Sequence, residues 1–404
     1  MPELKREINL PRATIYGVGQ ILGAGIYAIL GEAAGRTGES IGLSFLLAAL
    51  IAACTGLSYA ELVSRYPKAA GDYIYVRHAF DNELLAEFTA VSRLFVGIIA
   101  AATVALAFAG YLASVVTVPL IPTAIALLIL LSIINFWGIG FSTRLNVVFT
   151  GIEIFGLLLI IWIGIGEWET VNAFQTPRGL TGLVHASFLI FFAYVGFEDV
   201  VNIAEETQDP TTVIPRAIVS AIVITTTIYL MVAFSAVAVV QWNVLGQSAS
   251  PLALVAQMGF GSGAALLLAV IALFATTNTA LINLISTSRV LYGVSKSEYQ
   301  VFPEIFSRVH STRDTPYLAI ALIGVATLSF TVIGDLGDVA ELANLAMLTL
   351  FTLVNAALLK LRLSDAEPKP AFRAPLNVGR VSLTALVGLL SAAGLIVFYL
   401  SQLL

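Results

Sequence analysis

The chain has 404 residues, of which 58% are hydrophobic and only 11% charged, and its mean hydropathy is +0.94. That balance excludes a soluble domain of this size, and the long unalternating apolar runs exclude a membrane barrel, leaving an all-α integral membrane protein. The formal net charge of -5 is spread through loops and argues against nucleic-acid partners, while the single cysteine, Cys54, excludes a disulfide framework and a cysteine-based metal site.

Hydropathy predicts eleven spans in chain order, at residues 14–35, 41–63, 87–116, 119–138, 145–166, 183–205, 213–240, 263–292, 317–334, 340–361 and 381–402. With the N-terminus inside, the inner segments carry nearly all the basic residues. The outer segments carry only Arg36 and Arg178, and Arg93 falls within the third span. This is a strong positive-inside signal, and an odd span count then puts the C-terminus outside. The connections 64–86, 293–316 and 362–380 are expected to be solvated inner loops.

The first span is interrupted in the sequence itself. Gly23-Ala24-Gly25 offers little side-chain packing at high backbone-entropy cost, so the helix is expected to unwind near mid-depth. Free backbone groups at that depth are tolerated only where they line a cavity or are covered by protein. A half-helix restarting at Ile26 presents N–H groups and a positive dipole end, which suit a carboxylate. Gly19 and Gly23 also fit GxxxG helix packing, an alternative the sequence leaves open. The GxGxxxG spacing from Gly17 is wrong for a dinucleotide loop.

The fifth span carries Glu153, nine residues past Arg144 and so roughly 13 Å deeper along a helix. A lipid-facing carboxylate there costs about 2.5–3.5 kcal/mol on insertion scales, so Glu153 is expected to face the bundle. A penalty of that size is close to what brings a carboxyl to titrate near neutral pH, which makes Glu153 a candidate proton carrier; a permanently salt-bridged or protonated structural Glu is the other reading. Arg93 is a candidate partner for this or another acid, or a snorkelling side chain.

The sixth span repeats the anomaly of the first. Phe192, Ala193 and Tyr194 end an apolar run that Gly196-Phe197-Glu198-Asp199 interrupts. Carbonyls freed there suit an ammonium group, so a zwitterion fits between the two breaks. Glu198 is either a gating group or a structural ion-pair partner. Interrupted helices five spans apart, an odd number, imply an inverted repeat. The division is a tail at 1–11, repeats at 12–166 and 167–364, and a loop with an extra span at 365–404. On span eight, Thr276, Thr277, Asn278 and Thr279 offer either sodium ligands or interhelical hydrogen bonds. His78, His185 and His310 show no metal-ligand spacing, and no nucleophile–base constellation stands out, so no enzyme, metal or cofactor is expected. Polar residues gathered at two breaks, without a stripe across several spans, argue against a channel, and short loops argue against a sensor.

Several stretches resemble the amino acid–polyamine–organocation superfamily of permeases. Gly17-Val18-Gly19-Gln20-Ile21-Leu22-Gly23-Ala24-Gly25-Ile26-Tyr27 is similar to its GxGxIxGxGIF signature. Ser58-Tyr59-Ala60-Glu61-Leu62 with Tyr66-Pro67 and Gly71-Asp72-Tyr73 resembles its second-span motif, departing at Ala70. Phe191 to Glu198, then Glu205-Glu206, Pro210 and Ile214-Pro215, resembles GFE…EE..P…IP. Ser288-Arg289-Val290-Leu291-Tyr292 is similar to SRVLY. The resemblance implies a leucine-transporter-type 5+5 inverted repeat with discontinuous helices 1 and 6 plus one extra C-terminal helix. It also implies amino acid or amine substrates held at Gly23–Ile26 and Phe192–Gly196, with Phe192 at the position of an occluding aromatic. Glu153 falls where some members carry a coupling lysine. The expected function is alternating-access transport of amino acids or related amines across the cell membrane, coupled to protons rather than sodium. Sodium symport or exchange on the same fold is the alternative. Glu61, in the second-span motif, is expected to gate or brace.

Overall fold

The computed structural model describes residues 4–113, 116–248, 250–297, 301–333, 337–364 and 367–403. Helix α1 (Leu10–Leu22) starts on an Asn9 cap, whose side chain accepts from the Arg12 amide at 3.2 Å, with Pro11 in the first turn, where its missing N–H costs nothing. It stops at Gly23, and α2 (Ala24–Thr37) continues from the break. The bundle then runs through α3 (Ile41–Arg65), α4 (Gly71–Phe80), α5 (Glu83–Ala113), α6 (Leu120–Trp137) and α7 (Ile139–Gly164). After α8 (Gly179–Tyr194) the chain turns at Gly196 and re-forms as a tight 3-10 segment over Phe197–Glu206. It continues through α9 (Pro210–Val239), α10 (Trp242–Leu245), α11 (Pro251–Phe260), α12 (Ser262–Lys296), α13 (Tyr317–Thr331), α14 (Gly337–Leu363) and α15 (Leu383–Leu403). A short hairpin, β1 (Asn377–Val378) against β2 (Val381–Ser382), precedes α15.

Among the described residues, eight helical stretches are long and apolar enough to cross a membrane: Ile29–Arg65, Glu83–Ala113, Leu120–Trp137, Ile139–Thr170, Gly179–Glu206, Pro210–Val239, Ser262–Lys296 and Leu342–Leu363. Eleven spans were expected. The first of these is divided at Gly23 into half-helices of 13 and 14 residues, and the ninth and last correspond to shorter apolar helices, Tyr317–Thr331 and Leu383–Phe398. Two loop expectations need correction. The stretch 64–86 is no solvated loop: it folds α4, whose residues Gly71 to Val76 are buried, Tyr73, Ile74 and Tyr75 in the apolar core and Asp72 beside Arg93 at 3.4 Å. Within 362–380, Ala374 is fully buried and Phe372 packs against the core.

The interrupted elements lie at the centre. α1 packs on α7 and α9, α3 on α8 and α9, and α5 on α12 and α14. Near its N-terminus the chain is clipped to the end of the 3-10 segment. The Ile8 amide donates to Glu206 O at 3.0 Å and the Gln208 amide to Ile8 O at 2.8 Å. Glu206 is itself fully buried and accepts twice from Arg289, Nε at 3.1 Å and Nη2 at 3.1 Å, a bidentate pair that satisfies both carboxylate oxygens.

Candidate substrate site at the helix breaks

The two breaks meet. A Cβ placed on Gly25 would lie 3.2 Å from Ala193 Cα, so the start of α2 rests directly on the backbone at the end of α8. Gly196 adopts φ +131°, a conformation L side chains rarely take, and lets the chain turn over Gln20. Between them stands Tyr229 of α9, fully buried, whose hydroxyl lies within hydrogen-bonding reach of Ile21 O of the first break and of Ala193 O (3.1 Å) of the second, its one proton shared between the two. One side chain thus serves the freed carbonyls of both interrupted helices. Tyr229→Phe leaves those buried acceptors without it and is expected to lower stability by about 1–3 kcal/mol. Thermal unfolding in detergent reads this, and an unchanged midpoint would remove the bridge from the account.

A cavity of about 170 Å³ lies against the breaks. Gln20, Ile21 and Gly25 line one side, Phe192, Ala193, Val195, Glu198 and Asp199 another, and Arg93, Thr279, Asn283 and Met347 close it from α5, α12 and α14. Larger cavities exist, of about 460 Å³ beside Arg6 and Glu205 and about 430 Å³ between α2, α5, α11 and α12. Of these three, and among the described residues, the smaller one alone is lined by residues of both breaks. Of the substrate-binding and gating residues expected from sequence, Gly25, Phe192, Ala193 and Glu198 line it, and Arg93, Asp199 and Thr279, also singled out there, do so as well. Ile26 and Tyr194 are fully buried behind the wall, Tyr194 against the Tyr229 ring at 5.3 Å between centroids. Gly23 lies against Thr279, and Ala24 opens α2. Glu61 is elsewhere, at the far end of α3 with Arg65 and Arg362.

The floor of the cavity is ionic. Arg93, almost wholly buried, donates through Nη2 to Asp199 and lies 3.4 Å from Asp72 and 3.6 Å from Glu198. Gln20 donates to Asp199 at 2.6 Å, Ser286 Oγ does so as well, and the Gly196 amide donates to Glu198 at 2.8 Å. Arg93 therefore meets these acids and does not meet Glu153.

Glu153 sits in a separate polar cluster at the junction of α7, α12 and α1. It is fully buried, and its Oε1 accepts from Asn278 at 3.0 Å. Asn278 also receives from Asn146 at 2.9 Å and donates to Thr150 at 3.1 Å. Gly19 lies directly over this cluster: a Cβ there would fall 2.1 Å from Thr150 Oγ1, so the close approach that GxxxG permits is used here. Among the described residues, Glu153 Oε2, Asn146 Oδ1 and Thr279 Oγ1 are buried without a hydrogen-bond partner. Thr276 and Thr277 spend their hydroxyls on their own helix.

Sequence reasoning missed Tyr229, which stands in an apolar span just after Thr225-Thr226-Thr227 and in no motif quoted above. It also missed that Asp72 shares Arg93 with the sixth-span acids and that Gln20 donates to Asp199, although both residues stand inside quoted motifs.

The amino acid permease family model matches residues 8–402. The chain belongs to that family. The permease is 27% identical to the branched-chain amino acid permease BcaP of Bacillus subtilis (strain 168), an alignment covering 92% of this chain and 84% of that protein. It is 28% identical to the methylthioribose transporter of the same organism, again over 92% of this chain and 84% of the relative. The cationic amino acid transporter 4 of Mus musculus is 26% identical over 90% of the permease and 61% of its own length. The family and these relatives are transporters rather than enzymes, and with the apolar helices they make the chain a multi-pass membrane permease.

Proposed function

We propose that the permease is a secondary active transporter of amino acids or related amines, working by alternating access through a 5+5 inverted repeat of residues 12–166 and 167–364, with eleven spans in all. The N-terminus is cytoplasmic and the C-terminus extracytoplasmic. The observation that carries the reading is the Tyr229 hydroxyl, which lies within hydrogen-bonding reach of carbonyls of both breaks beside a common cavity. The substrate carboxylate takes the half-helix start at Gly23, Ala24, Gly25 and Ile26, where amides point outward and the dipole is positive. The amine takes the α8 end at Phe192, Ala193, Tyr194 and Gly196, where Phe192 covers the ligand and Glu198 adds negative charge. Binding of single amino acids and amines to purified protein, followed by uptake into proteoliposomes, tests this. Relatives named for branched-chain amino acids, methylthioribose and cationic amino acids leave the side chain open, so the screen covers all three classes.

Coupling runs through Glu153, which exchanges a proton as the site changes access. Burial with one carboxylate oxygen lacking a partner supports this, because a neutral carboxyl is the cheaper form in such a place. Glu153→Gln mimics the protonated state permanently and is expected to abolish the response of uptake to an imposed pH gradient while substrate binding persists. Uptake that follows the gradient equally in wild type and variant would sink the assignment. The unpartnered oxygens of Asn146, Glu153 and Thr279 favour sodium as the second reading, and uptake that requires sodium at constant pH decides for it.

A further inference from the structure

The ends of α3 and α14 and a strap formed by residues 367–382 enclose another cavity, of about 330 Å³, remote from the breaks. Among the described residues, five of the seven that line it are cationic: Arg65, Arg362, Lys369, Arg373 and Arg380. None of the seven is acidic; two carboxylates outside the lining offset part of the charge, Glu61 paired with Arg65 and Arg362 and Glu367 with Lys369 at 3.5 Å, and the cations still outnumber them. Its inner wall is fixed. Glu61, fully buried, accepts from Arg65 Nη2 at 3.2 Å, from Arg362 Nε at 2.9 Å and from the Ala374 amide at 2.8 Å. Ser64 Oγ donates to Phe372 O at 3.1 Å and accepts from the Phe372 amide at 3.1 Å. The strap is thereby held to the bundle, and the cavity has a preformed cationic lining.

What stands beside it is apolar and exposed. Leu376 and Val378 at the hairpin are 68% and 64% accessible, and Leu363 at the end of α14 is 57% accessible. In water such a flank is unfavourable; at the edge of a bilayer, apolar groups enter the acyl region while guanidinium groups stay at the level of the phosphates. Guanidinium groups also present paired donors that match phosphate oxygens.

We propose that this cavity binds the phosphate headgroup of an anionic phospholipid, whose acyl chains lie along Leu376 and Val378. Free phosphate shares the headgroup chemistry but has no use for the apolar flank. The site anchors the strap and the ends of α3 and α14 to the membrane, independently of the substrate carried.

The full chain, purified in neutral detergent, is titrated with phosphatidylglycerol, phosphatidylcholine or sodium phosphate, with bound lipid read by native mass spectrometry and stability by thermal unfolding. Phosphatidylglycerol is expected to remain bound and raise Tm, with phosphatidylcholine and sodium phosphate doing neither. The double variant Arg373→Ala/Arg380→Ala, which leaves the Glu61 wall intact, is expected to bind phosphatidylglycerol about 30-fold more weakly, at roughly 1 kcal/mol per cation. If that variant does not fold, the wild-type protein still answers, since its phosphatidylglycerol binding should weaken steeply with salt. Equal retention of both lipids, equal stabilisation by sodium phosphate, unchanged affinity in a folded double variant, or salt-insensitive binding each overturns the proposal.

Discussion

Gly25→Val is expected to reduce substrate affinity at least a hundredfold while the protein still inserts and purifies as a folded species. At this position a Cβ would sit 3.2 Å from Ala193 Cα and 3.4 Å from Ala193 Cβ. The nearest obstacle is backbone, which cannot rotate away, so even Ala forces a small displacement. Val adds two methyl groups that either lever α2 off α8 or enter a cavity of about 170 Å³. Overpacking of this kind costs about 1–3 kcal/mol of stability, tolerable for a large bundle. Binding is hit harder, because hydrogen bonds to a charged ligand group contribute about 1.5–3 kcal/mol each and the same shift misaligns several of them. Scintillation proximity with the best substrate measures the loss. Native affinity in a folded Gly25→Val protein would refute the placement of the carboxylate at this break.

What could be read from sequence was what is encoded locally. Gly23-Ala24-Gly25 and Gly196 announce interruptions because few other residues make a continuous helix so unfavourable, and α1 and α8 do end beside them. Glu153 could be assigned to the bundle interior because lipid exposure was too costly, and it is fully buried. The family was legible because four ordered motifs lie along one chain. Long-range partners were not legible. Arg93 could pair with any acid on its level, and only the fold brings α4, α5 and the 3-10 segment together so that it meets Asp72, Glu198 and Asp199. Tyr229 looked like one more aromatic in a span. Helices α4, α10 and α11 fell in stretches read as connections, since short helices depend on what they pack against more than on their own periodicity.

The same Arg93 cluster yields the largest expected loss of stability. Three buried carboxylates face one buried guanidinium, so the acids depend on Arg93 more than Arg93 depends on any one acid. Arg93→Ala removes the only cation the structure gives Asp199 and Asp72 as an ion-pair partner among the described residues, and leaves uncompensated charge in a dry site. Breaking buried pairs in this way costs about 3–5 kcal/mol. Asp199→Asn should cost clearly less. The guanidinium keeps Asp72 and Glu198, Ser286 and Gln20 keep an amide partner of the same shape, and the local excess of negative charge falls. Arg93→Lys should fall between, because an ammonium carries the charge but cannot reach three carboxylates with directed donors. Thermal unfolding of the three variants in one detergent gives the order directly. If Asp199→Asn proves as damaging as Arg93→Ala, the cluster is held by the single Arg93–Asp199 pair, and the acid-rich floor of the cavity has no energetic excess for a substrate amine to relieve.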